Sequence, residues 1–376
     1  MKILYVTTIG GTMNFFKSFI KGLLDEGHTV DIATNETTSP VAECYREWGC
    51  RVFPISTSRS PLKWGNVKAI GEIRRLVLAE GYDIVHCHTP IAAVCTRLAC
   101  KKARKKGTRV IYTAHGFHFY KGAPRKNWMI YYTAEKLCAR HTDVLITINR
   151  EDYDLAQRKL KAKRVEYVPG VGVDVERFRS ARADRNAKRE ELGIPADAFL
   201  AVSVGELNQN KNHETVLRAL AECGVERIHY AVAGVGNKRE ELLALAESLG
   251  VGDRFHLLGY RSDVAEIYHA ADACVFPSIR EGLGLAAIEG MACSLPLIVS
   301  DNRGTRDYSE NGENALVCSW NSVTEFAAAL RMLEGDGALC RRMGEKNVEI
   351  APKFDQAVAM RKMREIYEKG AKEHVQ

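Results

Sequence analysis

A chain of 376 residues, 46% hydrophobic and 27% charged, has core enough for about two domains of an ordinary globular protein. It opens on a strand-like segment rather than a signal peptide. No apolar run approaches the ~20 residues of a membrane span, and the eleven cysteines fall singly with no C-x-x-C pair, which speaks against a disulfide framework or a zinc site and for a cytoplasmic protein. The net charge of +7 is uneven: residues 1–180 carry 30 Lys/Arg against 17 Asp/Glu and residues 181–376 carry 24 against 30, so the first half expects an acidic partner, a membrane surface or a phosphorylated acceptor. Nucleic acid, the third such partner, comes last and is not expected, since neither zinc-finger spacing nor an RNP-like aromatic motif is present.

Lys2–Thr7 reads as a short strand and Gly10 with Gly11 as a turn. Phe15, Phe16, Phe19, Ile20, Leu23 and Leu24 then recur at helical spacing before the strand Thr29–Ala33. This β-α-β start predicts a parallel, doubly wound sheet with the Phe stripe packed on it. Gly10 and Gly11 alone are half a phosphate loop, and such pairs also make ordinary tight turns. Asp83–Pro90 reads as a strand and its end. His86, Cys87 and His88 look like metal chemistry in type, but strand alternation sends neighbours to opposite faces, so the expectation is a histidine at the rim of a ligand site and no metal. The next helix turns basic at Arg97, Lys101, Lys102, Arg104, Lys105 and Lys106. Arg109, Lys121, Arg125 and Lys126 continue the charge beside Trp128, Tyr131 and Tyr132. One reading is a solvated face; the other is docking to an anionic membrane, at about 1 kcal/mol per near-surface cation. A strand from Val110 then delivers His115 to the C-terminal edge of the sheet, where open α/β sheets place ligands, with His118 nearby.

After a further strand at Thr142–Ile148, Val165–Asp174 leads out of the first domain, and the charged stretch Arg177–Arg189 reads as a connector. A second β-α-β series starts at Phe199–Val204. Its first turn, Gly205–His213, puts Lys211 at the start of the helix Glu214–Leu220, where an ammonium neutralises phosphate oxygens. Tyr230–Gly236 is a strand that ends on Gly234 and Gly236. Ala273–Ser278 then leads into EGLGLAAIE, residues 281–289. Glu281 lies on a Gly-containing loop and Glu289 on the helix Leu285–Cys293. Between them, free N–H groups and the helix dipole suit an anion such as a diphosphate. Taken singly, Glu281 reads as a helix cap and Glu289 as a solvated carboxylate. Together they read differently: ionised carboxylates only accept hydrogen bonds, so their natural partners are hydroxyls, and phosphate plus polyhydroxyl spells a nucleotide sugar.

The segment Phe276–Ser300 resembles the E-x7-E motif of the retaining glycosyltransferases of family 4. The resemblance implies an α/β GT-B fold, two Rossmann-like doubly wound parallel-sheet domains facing a cleft. Residues 1–178 would form the acceptor-side domain, with the helix 356–376 crossing back onto it, and residues 179–355 the nucleotide-sugar domain. It further implies that Glu281 contacts hydroxyls of the donor sugar, Glu289 the ribose, and the backbone of Gly282, Leu283, Gly284 and Leu285 the sugar and diphosphate. The Thr-x-His-Gly pattern at 113–116 resembles the family's active-site segment, which makes His115 a catalytic candidate beside Lys211 and Glu281. By the same likeness Gly10 and Gly11 face the diphosphate or acceptor, Gly205, Gly234 and Gly236 approach the nucleotide, and Tyr260 lies beside the base. The family pattern G-R-L-x-x-x-K is kept at Lys211 but has Glu206 for its Arg, and the N-G-V-D segment has Gly170 for its Asn. Losing one charge-assisted hydrogen bond costs ~1.5–3 kcal/mol, which does not abolish transfer. Glu206 is expected to point away from the diphosphate or to bind a hydroxyl or a cation.

The activity so implied is transfer, with retention, from a nucleotide sugar (a UDP-sugar) to a hydroxyl of a glycan acceptor linked to polyprenyl diphosphate, in capsule, exopolysaccharide or O-antigen assembly. No cofactor is expected. No D-x-D motif suited to a divalent metal is present, so transfer is expected to be metal-independent. The protein is placed in the cytoplasm, peripheral on the inner face of the plasma membrane. Two alternatives stay open: a nucleotide-sugar 2-epimerase on the same architecture, and a non-catalytic sugar-nucleotide-binding subunit, for which Glu206 is the motive. Incubating donor without acceptor separates the first from a transferase. The second binds donor with neither transfer nor hydrolysis.

Overall fold

A computed structural model describes residues 1–369, and the chain divides into two compact units. Unit 1 comprises Met1–Val171 and the chain from Ala359 onward; unit 2 is Gly172–Val358. The sequence-based boundaries at 178 and 356 differ by a few residues from these. Val173 pairs with Asp355, and Gln356 N–H donates to Val173 O at 3.0 Å, so both crossing segments lie side by side at the margin of unit 2. The last seven residues of the expected C-terminal helix fall outside the described residues.

Unit 1 is built on a sheet of seven parallel strands: β1 (Lys2–Val6), β2 (Thr29–Thr34), β3 (Val52–Pro54), β4 (Ile84–His88), β5 (Arg109–Ala114), β6 (Val144–Thr147) and β7 (Arg164–Tyr167). Their spatial order is 3-2-1-4-5-6-7, a doubly wound sheet that reverses direction between β1 and β4. Period-two alternation builds both faces. Leu4, Val6, Val85, Cys87, Val110 and Tyr112 enter one core, and Ile3, Tyr5, Ile32, Ile84 and Ile111 enter the other. The second face is covered by Phe16, by Phe19, Ile20 and Leu23 of the helix Lys17–Asp25, and by Met363, Ile366 and Tyr367 of the C-terminal helix Gln356–Glu368. The expected Phe stripe therefore packs on the sheet, except for Phe15, which is exposed.

Unit 2 has six parallel strands, β8 (Phe199–Val204), β9 (Ile228–Ala233), β10 (Phe255–Gly259), β11 (Ala273–Phe276), β12 (Leu297–Ser300) and β13 (Ala315–Cys318), in the order 10-9-8-11-12-13. Its reversal falls between β8 and β11. The GT-B class expected from the sequence, two Rossmann-like parallel-sheet domains, is the fold observed.

Two sequence readings are corrected. The charged stretch Arg177–Arg189 is no connector: it forms parts of the helices Val175–Ser180 and Arg185–Glu191. Arg189 is buried, donating to the carbonyls of Ala196, Ala198 and Ala270 and pairing with Asp272 at 2.7 Å. A buried guanidinium is tolerated because nearly all its donors find acceptors. Arg97 likewise leaves the proposed basic face. It is fully buried, pairs with Glu135 at 2.7 Å and stacks over Tyr112, whereas Lys101, Lys102, Lys105 and Lys106 are exposed as read. Among the described residues no helix is long and apolar enough to cross a membrane, and all eleven cysteines are free, nine of them buried.

Candidate active site

In unit 2 the loops after β8 and β11 meet at the reversal point of the sheet. Asn210 and Asn212 sew them together: Ile279 N–H donates to Asn210 O, Asn210 Nδ2 to Arg280 O, and Asn212 Nδ2 to Pro277 O, at 2.8, 2.9 and 3.1 Å. On this frame Lys211 Nζ reaches Glu281 Oε1 at 2.7 Å, with the ammonium 5.2 Å from the centre of the Phe276 ring. The Lys211 stem lies over Gly205, where a Cβ would meet its carbons at 3.2 Å. Glu281 is braced from behind, Arg303 Nε donating to its carbonyl at 3.4 Å. Lys211 and Glu281, 70 residues apart in the chain, thus form one charge pair at the strand ends.

The helix Leu285–Ala292 starts here. Its N-cap is Gly284, in the left-handed region at φ +90, with no side chain to accept from the first-turn N–H groups. Ala287 N–H donates to the Gly284 carbonyl at 3.1 Å, which leaves the amides of Leu285 and Ala286 for an external acceptor. A Cβ at Gly284 would strike Phe276 and the Tyr308 hydroxyl, so the loop requires glycine twice over. Leu283 anchors this turn in the core, and Leu285 is half-buried. Glu289, one turn on, is half-buried, and its carboxyl has no hydrogen-bond partner among the described residues. Burial raises its carboxyl to about 7 against the opposing pull of Arg177 and Lys211.

Glu206 is exposed and accepts from Asn208 Nδ2 at 2.9 Å, while Asn208 Oδ1 accepts the Lys211 N–H at 3.0 Å. The carboxylate that replaces the expected Arg therefore braces the loop that presents Lys211, a link that spacing alone did not reveal. Gly234 and Gly236 serve this same loop. Cβ atoms on them would run into the Gly205 carbonyl and the Leu207 backbone, so both glycines allow β9 to end tightly against the turn after β8. Tyr260 is 81% exposed at the end of β10, an edge strand, and makes no hydrogen bond or ring contact with the Lys211–Glu281 pair.

Unit 1 brings a second group of the expected residues to its own reversal point. Gly10 and Gly11 begin a 3-10 segment, Gly10–Phe16, packed against Ser39, Pro40 and Val41 so closely that side chains do not fit. Beside it, Thr8 N–H and Oγ1 meet Thr89 Oγ1 at 3.1 and 2.7 Å. Thr89 holds φ +65, rare for a β-branched residue, at the end of β4. His86 and His88 share one face of β4 and are both buried. His86 Nδ1 meets the Tyr367 hydroxyl at 2.6 Å and its Nε2 meets Thr113 Oγ1 at 2.8 Å; Tyr367 in turn meets Tyr5 at 2.9 Å. His88 Nδ1 lies 3.1 Å from His115 Nε2. Desolvation lowers the His115 pKa to about 4, which favours the neutral ring at pH 7, although the residue as a whole is exposed. His118 stacks on Tyr131 at 4.6 Å, away from this cluster of rings. Sequence reasoning named His88 and His115 separately and missed both their contact and Tyr367.

No group of three or more His, Cys, Asp or Glu suited to a metal occurs among the described residues. The D-x-D run Asp152–Asp154 lies on the helix Arg150–Lys159, its Asp152 buried and accepting from Phe117 N–H at 3.0 Å.

Two doubly wound parallel sheets, with an acid–base pair and an uncapped helix start at a strand-end reversal, define a GT-B protein. The solved structures agree on the fold: Anabaena Alr3699/HepE in complex with UDP matches with a TM-score of 0.83 at 20% identity, covering 98% of this chain and 100% of that one. Residues 10–170 match the glycosyl transferase 4-like domain and residues 184–350 the glycosyl transferases group 1 family. The chain is 37% identical to the "Putative glycosyltransferase EpsD" of Bacillus subtilis (strain 168), over 97% of this chain and 96% of the relative. It is 28% identical to an Escherichia coli UDP-Gal:alpha-D-GlcNAc-diphosphoundecaprenol alpha-1,3-galactosyltransferase, over 73% of this chain and 72% of that one. This protein belongs to the group 1, family 4 type glycosyltransferases.

Proposed function

We propose that this glycosyltransferase moves a sugar from a UDP-sugar to a hydroxyl of a polyprenyl-diphosphate-linked glycan, with retention and without a metal ion. The observation that carries the reading is the Lys211–Glu281 pair beside the uncapped start of the helix Leu285–Ala292. In the reaction the sugar–phosphate bond breaks and negative charge grows on the departing diphosphate. Lys211, released from Glu281, and the first-turn amides meet that charge. Glu281 exchanges its contact with Lys211 for sugar hydroxyls, and Glu289 accepts from the ribose. His115 is assigned a donor-contact role on the likeness of its Thr-x-His-Gly segment to the family's active-site segment. The departing phosphate takes the acceptor's proton, so no separate base is required.

The donor is supported by HepE, described in complex with UDP-glucose, and by the E. coli relative's UDP-Gal. That relative's diphosphoundecaprenol-linked acceptor supports a lipid-linked one here. A lipid acceptor calls for a membrane surface. Leu62 and Trp64, 96% and 85% exposed, flank Lys63 and follow Arg59, an apolar tip in a basic setting that favours an anionic bilayer.

The test is nucleotide release from a panel of UDP-, GDP- and ADP-sugars, with and without membrane extract as acceptor source, wild type beside Glu281→Ala. Release selective for a UDP-sugar, undiminished by EDTA and lost in the variant, with an α-linked product from an α-linked donor, is the expected result. Release that needs added metal, or an inverted product, overturns those parts of the reading. Binding without release, under every condition, overturns the enzymatic role.

A further inference from the structure

The ring pair at the end of β4 and β5 carries information about proton placement. His88 is buried to 1% exposure, and its Nδ1 meets His115 Nε2 at 3.1 Å. Of these two nitrogens one must carry hydrogen and the other a lone pair. His88 Nε2 decides which. It is buried with no hydrogen-bond partner among the described residues, beside a small space that Phe16, Phe19, Ile146, Ile148 and Val168 make largely apolar and to which Thr113 adds a hydroxyl. A proton there would be an N–H with nothing to donate to, a rarer and costlier orphan than an unused lone pair. Protonation of both nitrogens is opposed by burial and by the His86 ring, whose centre is 4.2 Å away. His86 cannot relieve His88, because its own nitrogens are engaged by Tyr367 and Thr113. Phe16 and Tyr5 hold the His88 ring in place, at 4.2 and 5.3 Å between centres.

We propose that His88 is a positioning residue that donates from Nδ1 to His115 Nε2, locks the neutral His115 ring as its Nδ1–H tautomer, and so makes His115 a hydrogen-bond donor to the oxygen of its ligand. Among the described residues His115 has no second hydrogen-bond partner, and the residue is exposed, so the Nδ1–H is left for a sugar hydroxyl or phosphate oxygen. In this state His115 takes no proton from the acceptor at Nε2, since that lone pair is already engaged by His88. The ligand's identity rests on the proposed donor-binding role of His115; the tautomer does not.

The experiment is long-range proton–nitrogen correlation NMR on the full chain with 15N-histidine, at neutral pH and without donor, His115 being assigned by its loss in His115→Gln. The expected spectrum shows His115 with a pyrrole-type Nδ1 and a pyridine-type Nε2. In His88→Phe, which keeps a ring but removes the donor, the hydrogen moves to Nε2 and kcat/KM for the donor falls about five- to tenfold, the worth of one neutral hydrogen bond and its geometry. In His88→Asn, whose amide donates from nearly the same place, the Nδ1–H form and most of the activity return. A wild-type His115 protonated at Nε2 overturns the proposal, as does an unchanged tautomer in His88→Phe; the wild-type spectrum decides even if that variant does not fold. Should the tautomer be as expected while His115→Gln turns over donor normally, the donor-binding role of His115 falls and the lock stands.

Discussion

Lys211 and Glu281 neutralise one another in the absence of donor, so single replacements have unequal consequences. Lys211→Ala loses its contact to the diphosphate, at about 1.5–3 kcal/mol for a charge-assisted hydrogen bond, and kcat should fall roughly ten- to 150-fold. It also leaves Glu281 without its cation, next to an incoming anion, so KM for the donor should rise in steady-state assays. The Lys211→Ala, Glu281→Ala pair should be less than additive, because the two residues act through one contact. Glu289 gives a pH signature. Its folded-state carboxyl is raised from 4.5 to about 7, so the protonated form favours folding, and that contribution is complete below pH 4.5 and lost as pH rises through 7. Glu289→Gln should therefore gain stability over wild type from pH 5 to pH 8, on the order of 1–3 kcal/mol, measured by denaturant unfolding. Donor binding runs the other way. The ionised carboxylate is the better acceptor for ribose hydroxyls, so wild-type kcat/KM should climb between pH 6 and 8 and Glu289→Gln should flatten the climb.

At the scale of elements, the ends of β8, β9 and β11 form one construction in which the glycines matter as spaces. Gly234→Ala should push the Gly205 carbonyl aside, cost about 1–3 kcal/mol, lower Tm by roughly 3–10 °C, and raise KM for the donor by shifting Lys211. Gly27→Ala, in open space after the helix Lys17–Asp25 at φ +78, is the comparison: it should lower Tm and leave KM alone. The roles of Glu281, Glu289 and Lys211 came from the resemblance, whereas the strand, turn and helix that carry these residues were legible in the sequence by period and by glycine. Glu206 was not. Its partner Asn208 lies two residues away on a loop, where no periodicity tells which way a side chain turns. Arg97 and Arg189 misled for a related reason: charge implies solvent until the partners, Glu135 and Asp272, are brought in from 38 and 83 residues away. At the loop that follows β3, Leu62→Ser with Trp64→Ala should reduce sedimentation with anionic vesicles about tenfold or more, given ~1.5–3 kcal/mol for each large apolar side chain removed from water. Neutral vesicles should bind both forms weakly.

For the whole molecule, the β-α-β rhythm gave both sheets and their parallel sense, while the ownership of the C-terminal helix came from the resemblance alone. Its residues settle onto unit 1 through Met363, Ile366 and Tyr367, and the Tyr367 hydroxyl completes a buried chain with Tyr5 and His86. Residues 172–358 expressed alone should unfold cooperatively. Residues 1–171 should do so only when joined to the helix from Ala359, as followed by urea titration of each fragment. This division also sets a timetable. A ribosome delivers the chain from its first residue, at about 5–20 residues per second, and domains commonly fold in the order in which they emerge. Here the order is inverted. Most of unit 1 leaves the exit tunnel before unit 2, yet it must wait with the Ile3, Tyr5 and Ile32 face of its sheet only partly covered, by Phe16 and the helix Lys17–Asp25, until unit 2 has been made and the helix Gln356–Glu368 released. A nascent chain stalled just short of Ala359 should carry a finished unit 2 and a protease-sensitive unit 1, which makes the earliest-born half of the protein the customer of the cell's holding chaperones.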